Sequence, residues 1–172
     1  YNEEPLIRQR VRELVAPRFE RHLLGETDSE VLFYVFLSRL SRRFEDMHLP
    51  GLPFDAVAEE LRATVADVLA ISDTYGEQLT KLTIIVTNGN VMVGHRWRMP
   101  LQLSTHKTKC PESEGCAFYR ENMCESQVED GIVRHLILTS EKVAMNPNVW
   151  QEVAEGETVG VDWGMHFRRV SC

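Results

Sequence analysis

The hydrophobic pattern changes period once along this chain, near residue 80, and that change constrains the fold more than any other feature. Before it, apolar residues recur every three or four positions, the spacing of one helical face. Leu6, Ile7, Val11, Leu14, Val15, Phe19 and Leu23 mark a first helix from Pro5 to Leu24. Pro5 suits a first turn, whereas Pro17 lacks the N–H that an interior position must donate and predicts a kink or break. Gly25 ends the segment. Thr27, Asp28, Ser29 and Glu30 open a second helix, with Thr27 and Glu30 at capping-box spacing. Val31, Leu32, Tyr34, Val35, Phe36, Leu37 and Leu40 make it apolar almost all round, which predicts a buried helix ending near Arg42 to Glu45. Met47 to Pro53 reads as a loop. A third helix starts near Phe54, carries Val57, Leu61, Val65, Val68, Leu69 and Ile71, and ends at Gly76.

After the change, short apolar runs alternate with turn residues. Leu82 to Thr87 and Val91 to Trp97 read as strands joined at Asn88-Gly89-Asn90, where Asn-Gly predicts a type I′ hairpin turn. Arg134 to Thr139, Glu157 to Asp162 and Met165 to Val170 read as further strands. Residues 107–131 are rich in Cys, Glu and Ser without apolar periodicity, and predict an irregular insertion outside the sheet. Helices followed by antiparallel strands predict an α+β fold, with helices stacked on a sheet.

Composition narrows the class. The chain of 172 residues, 43% hydrophobic and 26% charged, fits one globular domain with a sizeable core. A net charge of −7 argues against general nucleic-acid binding, because a phosphate backbone selects basic surfaces. No apolar run has the length of a membrane span, and the polar start has no signal-peptide pattern. Four cysteines are too few for a disulfide framework at this length. These readings make the cytoplasm the expected compartment, with no nucleic-acid or membrane partner and no cofactor; a homo-oligomer stays open. The first residue is Tyr1 and not Met, and a helix begins at once, so we read the chain as a fragment or processed product.

The most informative local string is Gly25-Glu26-Thr27-Asp28-Ser29-Glu30. Taken alone it is a capped helix start. Unpaired N–H groups and the helix dipole favour the negative charge of Asp28 and Glu30 there. With the run Val31-Leu32-Phe33 behind it, however, the string resembles the Thr-Asp-Ser-Glu motif of class-II glutamine amidotransferases, and most closely their stand-alone gamma-glutamyl hydrolase branch. Two further segments follow in the family's order. Leu82 to Trp97, with Val86-Thr87-Asn88-Gly89 and the ending His95-Arg96-Trp97, is similar to the family's "Thr-Asp-Gly … Ala-Thr-Arg-Tyr" hairpin. It departs in Asn88 for Asp, Gly94-His95 for Ala-Thr and Trp97 for Tyr. Leu138-Thr139-Ser140-Glu141-Lys142-Val143 resembles its "Ala-Ser-Glu-Pro-Leu" segment, with Trp150 and Val153-Ala154-Glu155-Gly156 following.

The resemblance implies a four-layer α/β/β/α N-terminal-nucleophile hydrolase fold, incomplete at the N-terminus, with residues 1–172 as the C-terminal part of one such domain. It implies an N-terminal Cys thiolate attacking the side-chain amide of glutamine or a gamma-glutamyl compound, its own α-amino group serving as base and an Asn-Gly pair holding the oxyanion. No catalytic residue of that set is in this chain; Asn88-Gly89 follows Asp28 and is out of order for the oxyanion pair. The part carried over is substrate binding: Asp28, with Thr27 beside it, would grip the substrate α-amino group at the mouth of the active-site pocket. A non-catalytic regulatory or scaffolding protein that keeps the fold is the alternative.

Other candidates are poorer. His106, Cys110, Cys116 and Cys124 lack the close ligand pairs of zinc sites, so no metal is expected. Nothing in the sequence pairs a cysteine with His106 or His135 as a nucleophile and base. His22, His48, His95 and His166 read as surface or partly buried. Trp97, Trp150 and Trp163 read as core or strand packing, and the arginines at 8, 10, 12, 18 and 21 as a solvated helix face.

Overall fold

A computed structural model describes residues 5–47, 51–76, 80–117, 119, 123–141 and 147–171. The expectations for Tyr1, His48, Lys142, Val143 and Cys172 fall outside them. The chain divides into two compact units, residues 1–49 with 55–80, and residues 50–54 with 81–172. Among the described residues no helix is long and apolar enough to cross a membrane.

The first unit is helical. Pro17 breaks the expected first helix outright, giving α1 (Pro5–Arg12) and the short α2 (Pro17–Glu20), with the proline at the first position of the second. The break is anchored: the Ala16 N–H donates to Ser38 Oγ at 2.8 Å, and that buried hydroxyl donates to the Tyr34 carbonyl at 2.6 Å. Ser38 lies on α3 (Asp28–Arg43), which buries Val31, Val35, Phe36 and Leu40. The expectation that α3 is buried all round fails, since Phe33 is 47% exposed. The i, i+4, i+5 spacing of its buried residues marks one helical face as the packed one. In α4 (Phe54–Thr74), Leu61, Val65 and Val68 are buried at matching spacing. Its acids meet the basic end of α3. Arg39 reaches Glu60 at 3.2 Å and Asp67 at 2.6 Å, and Arg43 reaches Glu59 at 2.5 Å.

The second unit contains two antiparallel sheets. Strands β1 (Ile84–Thr87), β2 (Met92–His95), β7 (Thr158–Val161), β8 (His166–Val170) and β4 (Gly131–Ile132) form one, in the order β1-β2-β7-β8-β4. Strands β5 (Ile137–Thr139), β3 (Gln102–Ser104) and β6 (Gln151–Glu152) form the other, in the order β5-β3-β6. The chain leaves the first sheet after β2 for β3, adds β4 to the far edge of the first sheet, completes the second with β5 and β6, and returns at β7, where His95 faces Thr158 and Met92 faces Val161. At that crossing the backbones approach closely: a Cβ on Gly160 would lie 1.9 Å from the Met92 carbonyl oxygen, so only glycine fits. His95 is a correction to the surface reading. It is 3% exposed, with Nδ1 2.8 Å from Thr158 Oγ1.

The two sheets share one core. Leu101 and Leu103 on one side meet Val159, Val161 and Phe167 on the other, with Val133 and Val153 filling in. Full burial of a side chain of this size contributes about 1.5–3 kcal/mol, so this dry layer dominates the unit. Two arginines tie its rim. Arg96 donates to Glu152 at 2.6 Å and to the Val153 carbonyl at 2.5 Å, while Arg169 donates to Gln151 at 2.7 Å.

Candidate functional site

The turn into α3 is built as its sequence suggests, with one difference. Thr27 is the N-cap, its hydroxyl accepting from the Glu30 N–H at 3.3 Å. Glu30 does not return that bond to Thr27. Its carboxylate reaches further back, accepting from the N–H groups of Leu24 at 2.9 Å and Gly25 at 2.8 Å. It therefore pins the chain entering the turn, which a capping box would not. Asp28 is the first helical residue and is half-buried, and its Oδ1 accepts from the Ser29 N–H at 2.8 Å. Both carboxylates sit where the helix dipole favours negative charge.

A second concavity lies in the sheet unit. Thr87, Gly89, Asn90, Val91 and Met92 from the β1–β2 turn, Leu136, and Val161, Asp162, Trp163 and Met165 from the β7–β8 turn line a cavity of about 210 Å³. Within the first turn Gly89 takes φ 88°, and no other residue of that turn is at positive φ. A type I′ turn needs two residues at positive φ, so the single one here corrects the expected I′ geometry. The Asn88 side chain replaces the missing constraint, accepting from the N–H groups of Asn90 and Val91, each at 2.9 Å.

The second turn was missed as a site. Asp162 Oδ1 accepts from the N–H groups of Gly164 at 2.8 Å and His166 at 3.0 Å, and the His166 ring lies 3.0 Å from Oδ2. Burial pushes the Asp162 carboxyl up, but the hydrogen bonds from His166 and Gly164 outweigh it and hold it below its ordinary value. Met165 takes φ 60°, a left-handed conformation uncommon for a side chain of its size. Trp163 is 70% exposed, contrary to the packing role expected of it, because it occupies the middle of this turn. The signal in the sequence was Asp162-Trp163-Gly164 between two strands. A further cavity, of about 330 Å³, is lined by Arg39, Arg42, Arg43 and Glu60 in the helical unit. Asp28 lines neither of these two cavities.

The described part of residues 107–131 is irregular up to β4, which begins at Gly131. Among the described residues no group of three or more histidines, cysteines or acids is arranged to hold a metal ion. Burial pushes the His106 imidazole below its ordinary value. The same holds for His135, with Lys107 and His106 adding to the effect. Cys116 is exposed, Cys110 buried and Cys124 half-buried.

No family model and no curated protein matches the sequence. Among solved structures, the chain is similar to a glutamine aminotransferase class-II domain protein from Silicibacter pomeroyi, with a TM-score of 0.63 at 15% identity over 95% of this chain and 60% of that one. It also aligns with a predicted glutamine amidotransferase from Pseudomonas aeruginosa, with a TM-score of 0.48 at 16% identity over 83% of this chain and 51% of that one. The first likeness defines the fold: a mixed helix and sheet architecture of the class-II glutamine amidotransferase kind. The chain spans about 60% of the length of that structure.

Proposed function

We propose that residues 1–172 are the C-terminal part of a class-II amidotransferase domain that cleaves the side-chain amide of glutamine or a gamma-glutamyl compound. The observation that carries this reading is the fold likeness over 95% of the chain. The turn into α3 supports it. In the proposed domain the layers are α/β/β/α, and a segment outside residues 1–172 supplies the cysteine and the Asn-Gly oxyanion pair. The thiolate attacks the amide carbon, ammonia leaves, and water resolves the thioester to the free acid.

Asp28 is assigned the substrate α-ammonium. The reason lies in how its neighbours are used. Both oxygens of Glu30 are taken up by the Leu24 and Gly25 N–H groups, and Thr27 is occupied as the helix cap. Asp28 is the acid of the motif that the resemblance assigns to the ligand cation. It is short, fixed on the first helical turn and half-buried, so an ion pair formed there would be partly shielded from water. Thr27 acts by holding Asp28 in place. The test is ammonia release from glutamine and gamma-glutamyl amides by the full-length gene product and by residues 1–172 alone. Turnover is expected from the first and none from the second. A full-length product that carries the cysteine and stays inert on these amides would favour a scaffolding role.

A further inference from the structure

Cys110 and Cys124 are fourteen positions apart in an irregular stretch, yet the fold brings their backbones together. The Lys107 N–H donates to the Cys124 carbonyl at 2.7 Å, and the Cys110 N–H donates to Glu125 Oε1 at 2.8 Å. Residues 107–110 are thereby clamped to residues 124–125. The first segment is held from its other side as well, because the Thr108 N–H donates to the Pro147 carbonyl at 2.8 Å. Cys110 is only 4% exposed and Cys124 half-buried, both are free, and the Cys110 thiol is near enough to influence the Cys124 thiol. Cys116, between them in sequence, is exposed.

We propose that Cys110 and Cys124 are a dithiol site that closes reversibly to an intramolecular disulfide. A disulfide needs its Cβ atoms about 3.5–4.5 Å apart; the clamped backbone sets that spacing, and rotation about χ1 brings the two sulfurs to bonding distance. The oxidant is a low-molecular-weight disulfide. The Cys124 sulfur, the more accessible, loses its proton and attacks one sulfur of the oxidant, expelling a thiolate. The Cys110 sulfur then loses its proton and attacks Cys124 in the mixed disulfide, expelling the second thiolate. Two protein thiols are oxidised and one small disulfide is reduced to two thiols. Burial and the neighbouring Cys110 push the Cys124 thiol up, while Lys107 and Arg134 pull it down. Little thiolate is present at neutral pH, so closure is slow there and quickens as the pH rises. The bond would lock the clamp that now rests on one backbone–backbone hydrogen bond and one from the Cys110 N–H to the Glu125 side chain.

The experiment uses the full-length gene product with oxidised glutathione, alkylation of the remaining thiols and peptide mass mapping. The expected result is a Cys110–Cys124 bridge reversed by dithiothreitol, with loss of those two alkylation sites and retention of Cys116. Cys116→Ser leaves bridge formation unchanged, and Cys110→Ser leaves a mixed disulfide on Cys124. A bridge to any other cysteine, a mixed disulfide on Cys124 that persists in the unsubstituted protein, or thiols that react only after a zinc chelator is added would each overturn the proposal. The unsubstituted protein decides the question even where a variant fails to fold.

Discussion

Two aspartates, Asp28 and Asp162, sit in tight turns and accept backbone N–H groups, but they do so on different scales. Asp162 binds across its hairpin turn, taking the N–H groups of Gly164 and His166 and the His166 ring. Its carboxylate closes the β7–β8 connection. Asp28 bonds the N–H of its immediate neighbour Ser29. The turn around it is instead held by Thr27 and Glu30, which secure the Glu30, Leu24 and Gly25 N–H groups. An acid that closes a turn is a structural element, whereas an acid in a turn closed by others can be assigned to a ligand. The comparison bears on how much each residue contributes to stability.

It predicts unequal costs. The largest belongs to Asp162→Ala, which leaves two N–H groups without their acceptor and costs about 2 kcal/mol of unfolding free energy. The same group fixes a pH dependence. Because its folded value is depressed, its contribution is complete above the ordinary aspartate value of about 3.9 and is lost as pH falls through the lower folded value. Urea denaturation of the unsubstituted protein in steps from pH 6 downward, about two units past that value, should show this loss. Asp162→Asn should flatten it. An unchanged slope would return Asp162 to the status of a bystander. Thr27→Ala should cost less, about 1 kcal/mol, since one N–H loses its cap. A cost as large as that of Asp162→Ala would mean that the turn into α3 depends on Thr27 more than on Glu30.

The same contrast explains what was legible in the sequence. The cap at Thr27, the break at Pro17 and the apolar stripes of α3 and α4 are local chemistry, written within a few residues. So are β1, β2, β7 and β8, strands of four or five residues each. Strands β3, β4 and β6 are two or three residues long and carry too little pattern to be seen. The pairing of His95 with Thr158 joins positions far apart in the chain, so its burial could not be read from either neighbourhood. In the β7–β8 turn, glycine occupies position 164 while the left-handed conformation falls on Met165. A rule that equates glycine with positive φ places the turn one residue early. Of the candidate site, the motif at Asp28 was legible. The cavity shared by the two hairpin turns was not, because it comes from strands that are neighbours only in the folded sheet.

The proposal gives Asp28 to the substrate and its neighbours to the fold. The direct test is kcat/KM of the full-length gene product and its Asp28→Asn variant on glutamine and on a matched amide lacking the α-amino group. The expected result is a loss of roughly a hundredfold or more on glutamine, a far smaller loss on the truncated amide, and an unchanged unfolding midpoint. Equal losses on both substrates, full activity on both, or an unfolded variant would contradict it.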